Sequence, residues 1–256
     1  MPNHKVAIEF CIYNEEQFLK EVLLTTAKRL KGIEFINILD GAWKWTGGNA
    51  QSTDKTKEIV EETGNIILKK YKVDVKFGFI NTQFRTQGEK RNYLLRRTEE
   101  IMKERDPEAN WYHLILDGDE FIQFTTGLQD IWLNKEGAGV DQFWPKIGLL
   151  AAYAFGSPKK LLSPRFIPAF QGYHYHTDQR MVIHDKNCVS IVDYNPKQRK
   201  YAEKFCEEIP QFFLLNKWNV RDISRSLMKM SYNTVTYPNK PAECLFSSYK
   251  IIQQSK

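Results

Sequence analysis

Alternation is the feature of this sequence that most restricts its fold. Over the first 125 residues, apolar runs of strand length trade places with stretches whose apolar residues recur every three or four positions. "KVAIEFCIY" (5–13) predicts a buried strand. The following "NEEQFLKEVLLTTAKRLK" predicts a helix, because Phe18, Val22, Leu23, Ala27 and Leu30 share one helical face. "IEFINILD" (33–40) predicts a second strand. "STDKTKEIVEE" (52–62) predicts a helix with Ser52 or Thr53 as its N-cap. A third strand at 73–80, a long helix from "QGEKRNYLLRRTEEIMKE" and a fourth strand at 111–116 complete the pattern. Strands that alternate with helices imply an α/β fold, a mostly parallel, Rossmann-like sheet with helices on both faces.

That architecture gives meaning to the polar residues at the strand ends, because open α/β sheets bind ligands beyond the carboxyl ends of their strands. Asn14 and Glu15 follow the first strand, Asp40 ends the second, and Asp117, Asp119 and Glu120 crowd the end of the fourth in "WYHLILDGDEF". Like charges so close raise one another's pKa values, so the cluster is costly unless a cation sits there. An acidic turn without an ion is the alternative.

The clusters, taken in order, resemble family 2 glycosyltransferases of the GT-A fold. "AIEFCIYNEEQFLKEVLLT" is similar to the family's opening strand and turn, and "LILDGDEF" to its Asp-x-Asp motif in the same strand-end context. "INILDG" and "STDKTKEI" resemble one further segment, split here by an inserted "AWKWTGGNAQ" (42–51) that would stack on a ligand or pack on the domain. "GEKRNYLL" is similar to the segment that opens the helix before the metal strand, and "SPRFIPAFQGYHYHTDQRMVIHD" to a stretch in which Arg-Phe precedes a strand ending in His-Glu, here His184–Asp185.

The resemblance implies a metal-dependent, inverting transfer of a sugar from a UDP- or GDP-linked donor, with Mn²⁺ or Mg²⁺ offsetting the charge of the departing diphosphate. It implies Asp119 as direct metal ligand, with Asp117 on the ribose or a metal-bound water, and Gly118 allowing close backbone approach. Tyr13, Asn14, Glu15 and Asp40 would border the nucleotide, and Lys90 and Arg91 would pair with phosphates, one of them lying instead on the surface; Arg85 is in reserve. His184 is a candidate third metal contact. Asp185 is the preferred general base, with Glu120 the other candidate or a support for the metal loop. Asn14 and Glu15 would equally serve as helix caps.

Residues 1–125 are thus expected to form the donor half and 126–256 the acceptor half, with a short helix at "LQDIWLNKEG", strands at "GVDQFWPKIGL" and "QRMVIHD", and an amphipathic helix over 218–233. Residues 1–144 carry 20 Lys/Arg against 23 Asp/Glu, and residues 145–256 carry 17 against 8. The basic second half suits an anionic or lipid-linked acceptor, nucleic acid or peripheral contact with a membrane, or is merely a solvated face. Four scattered cysteines, no signal-peptide pattern and no apolar stretch of bilayer length point to a cytoplasmic protein, at the inner membrane face if peripheral. Other readings are a nucleotidyltransferase, an inactive GT-A-like module binding a polyanion, and a zinc hydrolase using His174, His176 and His184.

Overall fold

β1 (His4–Ile12), β2 (Ile33–Asp40), β3 (Asp74–Phe79) and β4 (Asn110–Asp117) carry the apolar runs anticipated from the sequence; between them lie α1 (Leu19–Arg29), α2 (Thr56–Tyr71) and α3 (Gln87–Arg105). The computed structural model describes residues 4–30, 32–42, 49–124, 147–154, 160–175, 181–183, 189–190 and 206–216. The strand order β3-β2-β1-β4 is parallel throughout. The chain leaves β1 toward β2 and returns to the other side of β1 with β4, so the switch point falls between β1 and β4, where Cys11 stands opposite Asp117.

Period-two alternation sorts the side chains of β1 between two helical layers. Val6, Ile8, Phe10 and Ile12 pack with Leu19, Val22, Leu23 and Ala27 of α1 and with Val60 and Ile67 of α2. Ala7 and Cys11 belong to the other face, which meets Met102 and Leu94 of α3. The mixed α/β architecture, helices on both faces of the sheet, is as expected.

Beyond β4 the sheet becomes mixed. β5 (Glu120–Phe124), β6 (Ile147–Ala154), β7 (Lys160–Pro168) and β11 (Cys206–Asn216) extend it in the order β4-β7-β6-β11-β5. β7 is antiparallel to β4, which carries Phe166 and Ile167 beside Leu114 and His113. A small second sheet joins β8 (His174–Tyr175), β9 (Met181–Ile183) and β10 (Val189–Ser190). Strands from both sides of residue 125 therefore share one sheet. No helix among the described residues is long and apolar enough to cross a membrane.

The start of α2 differs from expectation. α2 begins at Thr56 behind Lys55, with no side-chain cap, and runs to Tyr71. Ser52 and Thr53 are not its caps, because both are used in the strand-end network described below. α3 follows the rule more closely: the Thr86 hydroxyl accepts from Glu89 N at 3.1 Å, and Glu89 reaches back to Arg85 N at 2.6 Å. Of the "GVDQFWPKIGL" and "QRMVIHD" strands, the described parts are β6 from Ile147 and β9. The helices expected at "LQDIWLNKEG" and 218–233 lie outside the described residues.

Candidate active site

The turn after β1 is built around Asn14, whose backbone is left-handed at φ 51°, a conformation asparagine tolerates better than most residues. Its backbone N–H donates to Ser52 Oγ at 2.7 Å, and its side-chain oxygen accepts from Thr53 N at 2.8 Å. Ser52 in turn gives its N–H (2.8 Å) and hydroxyl (2.6 Å) to the two oxygens of buried Asp40. Glu15 N donates to Thr56 Oγ1 at 2.8 Å, and Tyr13 OH to Asn49 O at 3.2 Å. Asn14 and Glu15 do not cap α1, which starts at Leu19. They lace the end of β1 to the segment that enters α2.

Neither Lys90 nor Arg91 lies on the surface; both are buried. The Lys90 ammonium donates to Ile12 O and Gly41 O, each at 2.6 Å, and so ties the carboxyl ends of β1 and β2. Burial lowers its pKa, with Asp40 and Glu15 among the groups pulling the other way. Arg91 pairs with Asp117 Oδ1 at 2.6 Å and lies over the Tyr175 ring, 5.1 Å from its centroid. Arg85 is exposed and paired with Glu89.

The acid turn follows directly. Glu120 is buried, accepts from Asp117 N at 2.9 Å and pairs with Arg165 at 2.6 Å. Burial pushes its carboxyl up to about 7, with Asp117 and Asp119 adding to the rise and Arg165 opposing it. Arg165 also stands 3.5 Å from Asp117 Oδ2 and 3.5 Å from Ile115 O. Two guanidinium groups thus balance Asp117 and Glu120, while Asp119 is buried at the tip of the turn.

Gly118 has no space for a side chain, since a Cβ there would meet Glu15 Cγ at 2.8 Å and Cδ at 3.1 Å. Gly118→Ala should therefore cost about 1–3 kcal/mol through overpacking. The expected reading in urea is a lower midpoint at unchanged slope.

The structure brings Glu15, Arg91, Asp117, Gly118, Asp119 and Glu120 together, with Tyr13, Asn14, Asp40 and Lys90 along the same edge. His184, Asp185, His176 and residues 43–48 of the insertion lie outside the described residues. His174 lies in β8, its Nδ1 3.5 Å from Gly172 O. Among the described residues, no three His, Cys, Asp or Glu side chains converge as a metal cage. Arg165 stands in the Arg-Phe of the resembling stretch with no role implied there, and none of the sequence motifs implies a role for Glu9 or His113. The signal for that pair was present, as each is a lone polar side chain in an apolar strand. His113 Nδ1 meets the Glu9 carboxylate in the interior.

No protein-family model and no curated protein matches the chain. Among solved structures, that of S. aureus TarS is similar over 96% of this chain and 42% of its own, with TM-score 0.52 and 13% identity. S. aureus TarS 1–349 in complex with UDP-GlcNAc aligns over 60% of this chain and 36% of its own, with TM-score 0.41 and 21% identity. Glucosyl-3-phosphoglycerate synthase from Mycobacterium tuberculosis, in complex with Mn²⁺, UDP and glucosyl-3-phosphoglycerate, aligns over 59% and 44%, with TM-score 0.32 and 15% identity. The chain spans less than half the length of each. The likeness to the TarS structure at TM-score 0.52 is a likeness of fold.

Proposed function

We propose that the chain is a metal-dependent, inverting glycosyltransferase of family 2 type, taking its sugar from a UDP- or GDP-linked donor. The observation that carries this reading is the Asp117–Gly118–Asp119 turn at the carboxyl end of β4, beside the switch point, with Asp40 ending β2 on the same edge. The sequence resemblance to that family and the shared fold with TarS support it.

The residues fit a divalent cation of the kind that needs no protein cage. Mg²⁺ keeps several waters and takes one or two carboxylates together with substrate phosphates, and hard oxygen donors also suit Mn²⁺. Asp119 would hold it, with Asp117 beside it and His184 as a further contact. When bound, the ion supplies Lewis-acid stabilisation of the departing diphosphate.

The chain's own residues do the positioning. Asp40 and the 13–15 turn border the nucleotide, and Gly118 leaves room for the Glu15 side chain to pack against the acid turn. Lys90 holds the two strand ends at which the nucleotide lies, and Arg91 and Arg165 hold Asp117. Glu120 fixes the acid turn, because its carboxylate is engaged on both oxygens. Asp185 is left as the group that takes the acceptor proton. Residues 1–125 form the donor half and 126–256 the acceptor half of a cytoplasmic enzyme, whose acceptor is anionic or lipid-linked.

One observation favours a second reading, a binding module without turnover: Asp117 and Glu120 are already balanced by arginines. One measurement separates the two. With UDP or GDP, or a sugar conjugate of one of them, at about a hundredfold excess over Kd and with Mn²⁺, the melting temperature should rise about 5–10 °C. The rise should vanish without metal or in Asp119→Ala, whose own fold is checked by its unligated transition. No shift with any nucleotide would move the assignment to the binding module.

A further inference from the structure

A cavity of about 370 Å³ opens beside α3, and its described wall includes none of the acids of the 117–120 turn. Leu95, Arg96 and Glu99 of α3, His113 of β4, Pro168 of β7 and Tyr173 line it. Asn92, also in the wall, holds Tyr175. The Asn92 amide bonds both the N–H (2.6 Å) and the C=O (2.8 Å) of Tyr175, while Arg91 on the next position lies over the ring.

Two costly features surround this space. The first is the buried Glu9–His113 pair, which a purely apolar interior would replace at no loss of stability in many proteins. The second is Phe170 at φ 61°, a strained backbone for an aromatic residue, held by Glu99 accepting its N–H at 2.7 Å. His113 Nε2 is 3.7 Å from Glu99 Oε1, beyond hydrogen-bond range. The two form a loose ion pair in the cavity wall, and a hydroxyl placed beside the pair reaches both.

We propose that this cavity binds a neutral, hydroxyl-rich ligand, a sugar unit or other polyol. In its wall Glu99 opposes Arg96, and His113 is already paired with Glu9 behind it, so neither an anion nor a cation gains by entering. Burial works against the charge on His113, but Glu9 and Glu99 outweigh it and push its pKa up to about 9. A hydroxyl accepts from the imidazolium and donates to Glu99 at once, which neither a carboxylate nor an ammonium does. Arg96, exposed at the rim, offers further donors. Leu95, Pro168 and Tyr173 give the apolar surface that the C–H face of a sugar ring requires. The volume falls within the roughly 300–1,000 Å³ of small-molecule sites. The proposal does not depend on the transferase reading, since its test reads binding alone.

The test is an amide NMR titration of the ¹⁵N-labelled chain with glucose, N-acetylglucosamine and glycerol, with acetate and inorganic phosphate as charged probes. Saturable shifts at Arg96, Glu99, His113 and Tyr173 with a neutral probe are expected, and none there with the charged ones. Arg96→Ala, at an exposed position, should keep the spectrum of the folded chain and weaken the binding about tenfold. Silence of these amides toward all three neutral probes would overturn the proposal. So would shifts with the charged probes alone, or an unchanged affinity in Arg96→Ala.

Discussion

Arg165→Met should lower the free energy of unfolding by about 3–5 kcal/mol, because it strands buried Glu120 without its cation. Glu120 is 1% exposed and pairs with Arg165 at 2.6 Å, and Asp117 loses the farther of its two guanidinium partners, at 3.5 Å. For a chain of this size the loss corresponds to a fall of about 6–20 °C in melting temperature. The partner substitution identifies the cause. Arg165→Met combined with Glu120→Gln should be more stable than Arg165→Met alone, since the uncompensated carboxylate is gone while the hydrogen bond to Asp117 N can still be made. If the double variant is as unstable as the sum of the two singles, packing of the arginine stem, and not its charge, is what stabilises the turn.

The second large effect is on pH dependence. His113 has its pKa raised to about 9; burial opposes the charge and the flanking carboxylates of Glu9 and Glu99 overcome it. Between the ordinary histidine value and that raised value, the folded chain keeps a proton that the unfolded chain has released. Stability from this group is therefore complete below about pH 6.5 and is lost as pH rises toward 9, by a few kcal/mol in all. Buried Lys90 has the opposite tendency, because its lowered pKa adds stability on the alkaline side. Urea unfolding from pH 6 to 9.5, in the parent and in His113→Gln, isolates the histidine, as the lysine is common to both. The difference between the two curves should shrink steadily with rising pH. A constant difference would show that His113 is neutral in the folded chain.

The first four strands and three helices were legible because their apolar periods are clean and their lengths ordinary. What escaped were side chains whose direction depends on partners far along the chain. Ser52 reads as a helix cap by composition, yet Asp40 takes both of its donors, a pairing set by how β2 and the next segment meet. Lys90 and Arg91 look like a basic, solvated start of a helix. They nevertheless sit four positions before Leu94 and Leu95, on the stripe that continues to Thr98 and Met102, and that stripe faces the sheet. The acid turn was legible as a cluster, but its arginine neutralisation was not, because Arg165 arrives on an antiparallel strand that no local period announces. The same is true of Glu9 and His113, whose pairing follows from β1 and β4 being neighbours.

Arg165 has a consequence for how the protein is made. It follows Glu120 by 45 residues, and at about 5–20 residues per second a ribosome supplies it roughly 2–9 s later. During that interval the emerging parallel strands can assemble, but the acids at their edge lack one of the two cations that balance them. β11, the partner of β5, comes later still. The edge on which the proposed chemistry depends is thus among the last parts of this sheet to be completed, and a chain released before residue 165 holds the scaffold without a closed acid turn.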